Sequence, residues 1–137
     1  MKPIVEEVFE YKGMKCAILL QGLGHRTAYI NVIDTDLKFV DYNNIDIEVH
    51  GGLTYSSMTL YGCDNGWWIG WDYAHYADEP DYVSLIIHTT NADDAELVAH
   101  RIRSGINYGG HVWAFDEVKA DIMEVVDLLQ AGKYERS

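Results

Sequence analysis

Ile45-Asp46-Ile47-Glu48-Val49-His50-Gly51-Gly52-Leu53-Thr54-Tyr55, with Gly62-Cys63-Asp64-Asn65-Gly66-Trp67-Trp68-Ile69-Gly70-Trp71-Asp72-Tyr73 a few residues later, decides how this chain folds. Its first six residues alternate, which places Ile45, Ile47 and Val49 on a core face and Asp46, Glu48 and His50 on the other. Gly51-Gly52 permits a bend, Leu53 to Tyr61 reads as a second strand, and Asn65-Gly66 is a hairpin signal returning Trp67 to Tyr73 as a third. The result is an antiparallel meander. In the returning strand Trp67, Ile69, Trp71 and Tyr73 share the core face, while Trp68, Gly70 and Asp72 share the other. An indole beside a glycine gap and a carboxylate suits a flat ligand stacked on Trp68 with Asp72 accepting a hydrogen bond.

Toward the N-terminus, Val5 to Tyr11, the turn residues Lys12-Gly13 and the apolar run Met14 to Leu20 read as a hairpin. Gln21-Gly22-Leu23-Gly24-His25-Arg26 has the look of a phosphate loop, but Thr27 to Ile33 follows it as strand rather than helix, so a dinucleotide fingerprint is not supported. Asp34 to Asn44 reads as loop and lacks the Gly and Glu of a calcium-binding hand. Toward the C-terminus, Tyr82 to His88 is an apolar run read as strand. Asn91 opens a helix with acids in its first turn and Leu97, Val98, Ile102 and Ile106 along one side, stopped by Gly109-Gly110. His111-Val112-Trp113 is an extended link. Phe115 to Leu129 carries one apolar stripe, Gly132 ends it, and Lys133 to Ser137 is expected to fray. The expectation is one α+β domain over residues 1–137: an antiparallel meander of five to six strands packed with one or two helices, the C-terminal one amphipathic.

A chain of 137 residues can bury one sizeable core. Its formal charge of −12 disfavours duplex nucleic acid, which needs a basic stripe, but leaves open a small nucleotide held in a pocket. No signal-peptide run or membrane-length apolar segment occurs, so no membrane partner is expected and the expected location is the cytoplasm. Cys16 and Cys63 read as small core residues of a reducing compartment.

Three chemistries compete for the polar residues. His50, Asp72, His75 and Asp78 raise a metal or acid/base site, although spacings of three share a face only on a helix or tight turn, and no metal or cofactor is expected. Thr54, Ser56 and Cys63 lie near them but in no nucleophile elbow. Ligand binding is the third: Trp68 stacks, Arg26 and the Gly51 and Gly52 N–H groups meet phosphate, and His50, Tyr55, Asp72 and His75 orient the ligand.

The blocks His50-Gly51-Gly52-Leu53-Thr54-Tyr55-Ser56, Gly66 to Asp78 and Val112 to Lys119 resemble a family of small bacteriophage proteins. Its members carry HGGLTY, a WWxGFDxAHxGD-like block and a closing amphipathic helix. This chain departs from the pattern at Trp71, where Phe is usual, and Ala77, where Gly is usual. The resemblance implies a phage origin, which sets the location as the host cytoplasm. By analogy with small pocketed phage proteins, it suggests a sponge that sequesters a nucleotide-like immune signal without catalysis, and the affinity such a sponge needs points to enclosure at a subunit interface, hence to a homo-oligomer. The alternatives are a small metal-dependent or acid/base hydrolase and an acidic inhibitor of a host protein.

Overall fold

Lys12 and Gly13 both adopt positive φ, 49° and 79°, so the chain reverses over two residues with the twist that flanking strands require. That turn pairs Ile4–Tyr11 (β1) antiparallel with Met14–Leu20 (β2), bringing Phe9 opposite Cys16 and Tyr11 opposite Met14. The computed structural model describes residues 1–105 and 109–137. Arg26–Asn31 (β3) continues the sheet beside β2. Ile45–Asp46 (β4) lies outside it, and Tyr55–Ser57 (β5) pairs with Trp68–Asp72 (β6), which itself pairs with β3. The five-stranded antiparallel sheet therefore runs β1-β2-β3-β6-β5.

Asp78–Glu79 (β7) is followed by Tyr82–His88 (α1), Ala92–Ser104 (α2), His111–Val112 (β8), Phe115–Gln130 (α3) and Glu135–Arg136 (β9). β7 pairs with β8 in parallel and β4 with β9 antiparallel. This is the expected α+β class with its C-terminal helix.

Both faces of the sheet are covered. On one, Cys16, Ile18, Ile30, Ile69, Trp71 and Tyr73 pack against Val118, Ile122, Val125, Val126 and Leu129 of α3. On the other, Ala17, Leu19, Tyr29 and Trp68 pack under Leu60. Two-sided burial explains why Cys16 to Leu20 of β2 reads as an unbroken apolar run. Apolar side chains of this size each contribute about 1.5–3 kcal/mol on full burial.

Three local expectations change. Tyr82 to His88 is helix rather than strand, because the Asp81 side chain accepts from Ser84 N at 3.0 Å and caps the first turn, while Leu85 inserts beside Leu20 and Val98. Lys133 to Ser137 does not fray: β9 completes the ladder with β4, and Ser137 N donates to Asn44 O at 2.9 Å. The strand expected from Ile45 to His50 is laddered only at Ile45–Asp46, although Ile45 and Ile47 are buried as the alternation requires. Ile106, expected on the α2 stripe, lies outside the described residues.

Candidate functional site

Beyond β6 the chain turns sharply, and the turn is built around two carboxylates. Asp72 Oδ1 accepts from Ala74 N at 3.1 Å and lies 3.1 Å from His75 Nε2, while Asp72 Oδ2 accepts from Thr54 Oγ1 at 3.2 Å. Asp78 Oδ2 accepts from His75 N at 2.9 Å, and Asp78 N donates back to His75 O at 2.9 Å. Between them Ala77 sits at φ 71°, a left-handed conformation that costs a non-glycine residue about 1–3 kcal/mol. It is held there by His111 N, which donates to Ala77 O at 2.8 Å.

Asp78 is the hub of this corner. Its Oδ2 lies 2.8 Å from His50 Nε2, and its Oδ1 accepts from Trp113 Nε1 at 2.8 Å. Its side chain is only 5 % exposed. Burial pushes the carboxyl up, but the hydrogen bonds from His50, the His75 backbone and Trp113 outweigh it and hold Asp78 below the usual carboxylate range.

His50 reaches this hub because the chain bends after it at Gly51 and Gly52, with φ 70° and 82°. The imidazole stacks on Tyr73 at 4.6 Å and 15°, meets Trp113 at 4.8 Å, and lies 5.9 Å from the His75 ring. His50 thus packs on a core aromatic rather than pointing away from the core. Gly51 is required for a second reason: a Cβ there would come within 2.1 Å of His75 Nε2. Beneath, Trp71 Nε1 donates to Tyr73 Oη at 3.0 Å and Tyr73 Oη donates to Asp121 at 2.8 Å. The phenol of Tyr73 is pushed up by burial and by Asp121, against a smaller lowering by Trp71, and stays protonated.

Of the residues expected to bind ligand, His50, Gly51, Asp72 and His75 converge here, with Gly52 beside them. Four details are corrected. Trp68 is 1 % exposed and its indole donates to Asp64 O at 2.9 Å. The gap beside it is filled, since a Cβ on Gly70 would lie 2.4 Å from the Tyr29 ring. Trp68 is therefore core and has no free face for a ligand. Arg26 is 2 % exposed, with Nε and Nη2 on Glu6 at 2.7 and 2.9 Å and Nη1 on Asp81 at 2.7 Å and Trp113 O at 3.0 Å, so no donor points outward for phosphate. Tyr55 packs edge-on against Tyr29 and gives its hydroxyl to Thr59 O, within the layer that covers Trp68. Gly52 N is already donated to Val49 O at 3.1 Å.

Trp113 was not among the expected residues. It follows two glycines in a short link and carries no periodic signal, yet its ring borders His50, Tyr73 and His111. Among the described residues no group of three or more His, Cys, Asp or Glu side chains is arranged to hold a metal ion, and no helix is long and apolar enough to cross a membrane. No family model, curated protein or solved structure matches the chain.

Proposed function

We propose that this chain is a binding protein that holds a small nucleotide-like ligand at the His50–Asp78 corner and sequesters it without turnover. One observation carries the reading: Asp78 fixes His50, the His75 backbone and the Trp113 indole at once, at a rim where His50 and His75 remain partly exposed. A site whose groups are already held loses less entropy on binding. The resemblance to phage proteins supports sequestration as the purpose.

The corner residues include no Lys or Arg, and two carboxylates are among them. The base and sugar are therefore the parts of a nucleotide it favours, with phosphate left toward solvent or met by a protonated imidazole. Micromolar capture needs about −8 kcal/mol, and a stacked base supplies about 1–3 kcal/mol. Enclosure between copies of the chain in a homo-oligomer would provide the remaining contacts.

A second reading has its own support. His50–Asp78 at 2.8 Å and His75–Asp72 at 3.1 Å are two carboxylate-oriented imidazoles with rings 5.9 Å apart, an arrangement suited to paired general acid and base. One experiment separates the two. The protein is incubated with cyclic dinucleotides, cyclic trinucleotides and ADP-ribose derivatives, washed, heat-released and chromatographed. Intact recovery of one compound, reduced at least tenfold in His75→Ala, supports sequestration. An altered product supports acid/base chemistry, and recovery of nothing overturns both.

A further inference from the structure

A cavity of about 530 Å³ adjoins the His50–Asp78 corner at Asp78 and opens between the Gln21–His25 turn, the start of α1 and the end of α2. Leu23, Pro80, Tyr82, Ile102 and Val112 form its apolar wall. Three of these are well exposed to water, Leu23 at 61 %, Ile102 at 42 % and Val112 at 43 %. The turn that carries Leu23 is fixed in place. Gly24, at φ 92°, sits so close to Pro80 that a Cβ would lie 2.9 Å from it, and Asp81 N donates to Gly24 O at 2.7 Å. The Leu23–Pro80 side of the wall is therefore preformed.

One polar atom in this cavity has a defined role. His25 lines it, and His25 Nδ1 is 2.8 Å from Tyr73 O. A carbonyl only accepts, so Nδ1 carries the proton, and in the neutral ring Nε2 is left as an acceptor. That Nε2 has no protein partner among the described residues. Asp78 and Glu79 are among the lining residues, and their negative charge disfavours an anion. We infer that this cavity binds a neutral aromatic heterocycle bearing an N–H or O–H donor, with His25 Nε2 accepting the hydrogen bond. The cavity shares Asp78 with the ligand seat proposed at His50, but Leu23, His25 and Ile102 lie outside that seat, so variants at His25 and Ile102 test this inference by itself.

Indole and benzofuran test it, being nearly isosteric and differing in N–H against O. Titrated into the isotope-labelled protein and followed by NMR, indole is expected to give saturable shifts at the Leu23, Ile102 and Val112 methyls and the His25 ring. It should bind about fivefold or more tightly than benzofuran, the worth of one net hydrogen bond. In His25→Phe the preference disappears. In Ile102→Glu, a change at an exposed position, both probes lose binding at least tenfold. Should His25→Phe fail to fold, the comparison of the two probes on the unaltered protein and the Ile102→Glu result decide. No saturable shift at these residues, equal binding of the two probes, or undiminished binding to Ile102→Glu overturns the inference.

Discussion

Arg26 and the His50–His75 pair both meet carboxylates at the same end of the sheet, and they end in opposite states. Arg26 spends its donors on Glu6, Asp81 and Trp113 O, and nothing is left to face solvent. His50 and His75 each commit Nε2 to a carboxylate, and their Nδ1 atoms have no protein partner among the described residues. Trp113 joins the two regions, its carbonyl accepting from Arg26 and its indole donating to Asp78. A charged group satisfied on every side is scaffold, whereas one held from one side with hydrogen-bonding capacity remaining is ready for a ligand. Charge and position alone do not separate the two cases.

The largest expected effect lies in the closed region. Arg26→Met leaves Glu6 and Asp81 buried without a counter-charge and should cost about 3–5 kcal/mol in chemical denaturation. A cost under 1 kcal/mol would mean the triad is solvated and the contrast with the histidines is lost.

Next comes a pair of glycines at the open corner. Gly51→Ala meets both a positive φ and the His75 ring and should cost about 1–3 kcal/mol, whereas Gly52→Ala has open space around its Cβ and meets the backbone penalty alone, about 1 kcal/mol. Only Gly51→Ala should displace His75 and abolish ligand capture. Equal effects in both assays would remove the close approach from the account.

Acid titration sharpens the comparison further. Asp78 and Asp81 are both held below the ordinary carboxylate value; burial pushes each up, and hydrogen bonds and neighbouring cations outweigh it. A depressed folded-state value stabilises fully above the unfolded value near 4, and that stability is lost as pH falls below it through the folded value. Asp81 belongs to the closed region and Asp78 to the open one. Asp78→Asn should flatten the acid-induced loss of stability below pH about 4 in part, leaving the Asp81 share. An unchanged acid slope would uncouple Asp78 from folding.

The smallest effect is expected from Tyr55→Phe, which removes a hydroxyl donated to Thr59 O. It should cost about 0.5–1.5 kcal/mol and leave ligand capture unchanged. A loss of capture would return Tyr55 to the site.

Much of the fold was legible because it is local. The apolar run from Met14 to Leu20, the Lys12-Gly13 turn and the α3 stripe each settle an element within their own residues. The period of two also assigned the two faces of β6 correctly, yet it said nothing of what covers each face. Trp68 looked available because Leu60 and the Tyr29 ring arrive from elsewhere in the chain to cover it. Arg26 looked like a phosphate ligand because Glu6 and Asp81 stand 20 and 55 residues away. Tyr82 to His88 carries strand formers, and the Asp81 cap with the Leu85 contact overrides that preference. Asp72, His75 and Asp78 stand out in the sequence by their spacing of three, whereas the approach of His50 to Asp78 depends on the Gly51-Gly52 bend and the tertiary fold. Trp113 was not legible, since only the tertiary fold carries it to Asp78.

We propose the His50–Asp78 corner, and not Trp68 and Arg26, as the ligand seat. The most direct test is an NMR titration of the labelled protein with the cyclic dinucleotides, cyclic trinucleotides and ADP-ribose derivatives, following the His50 and His75 ring nitrogens and the Trp113 and Trp68 indole N–H signals. Saturable shifts are expected at His50, His75 and Trp113 for one member of the panel, with Trp68 and the Arg26 guanidinium silent. Saturable shifts at Trp68 or Arg26, or silence at all of them across the panel, would contradict it.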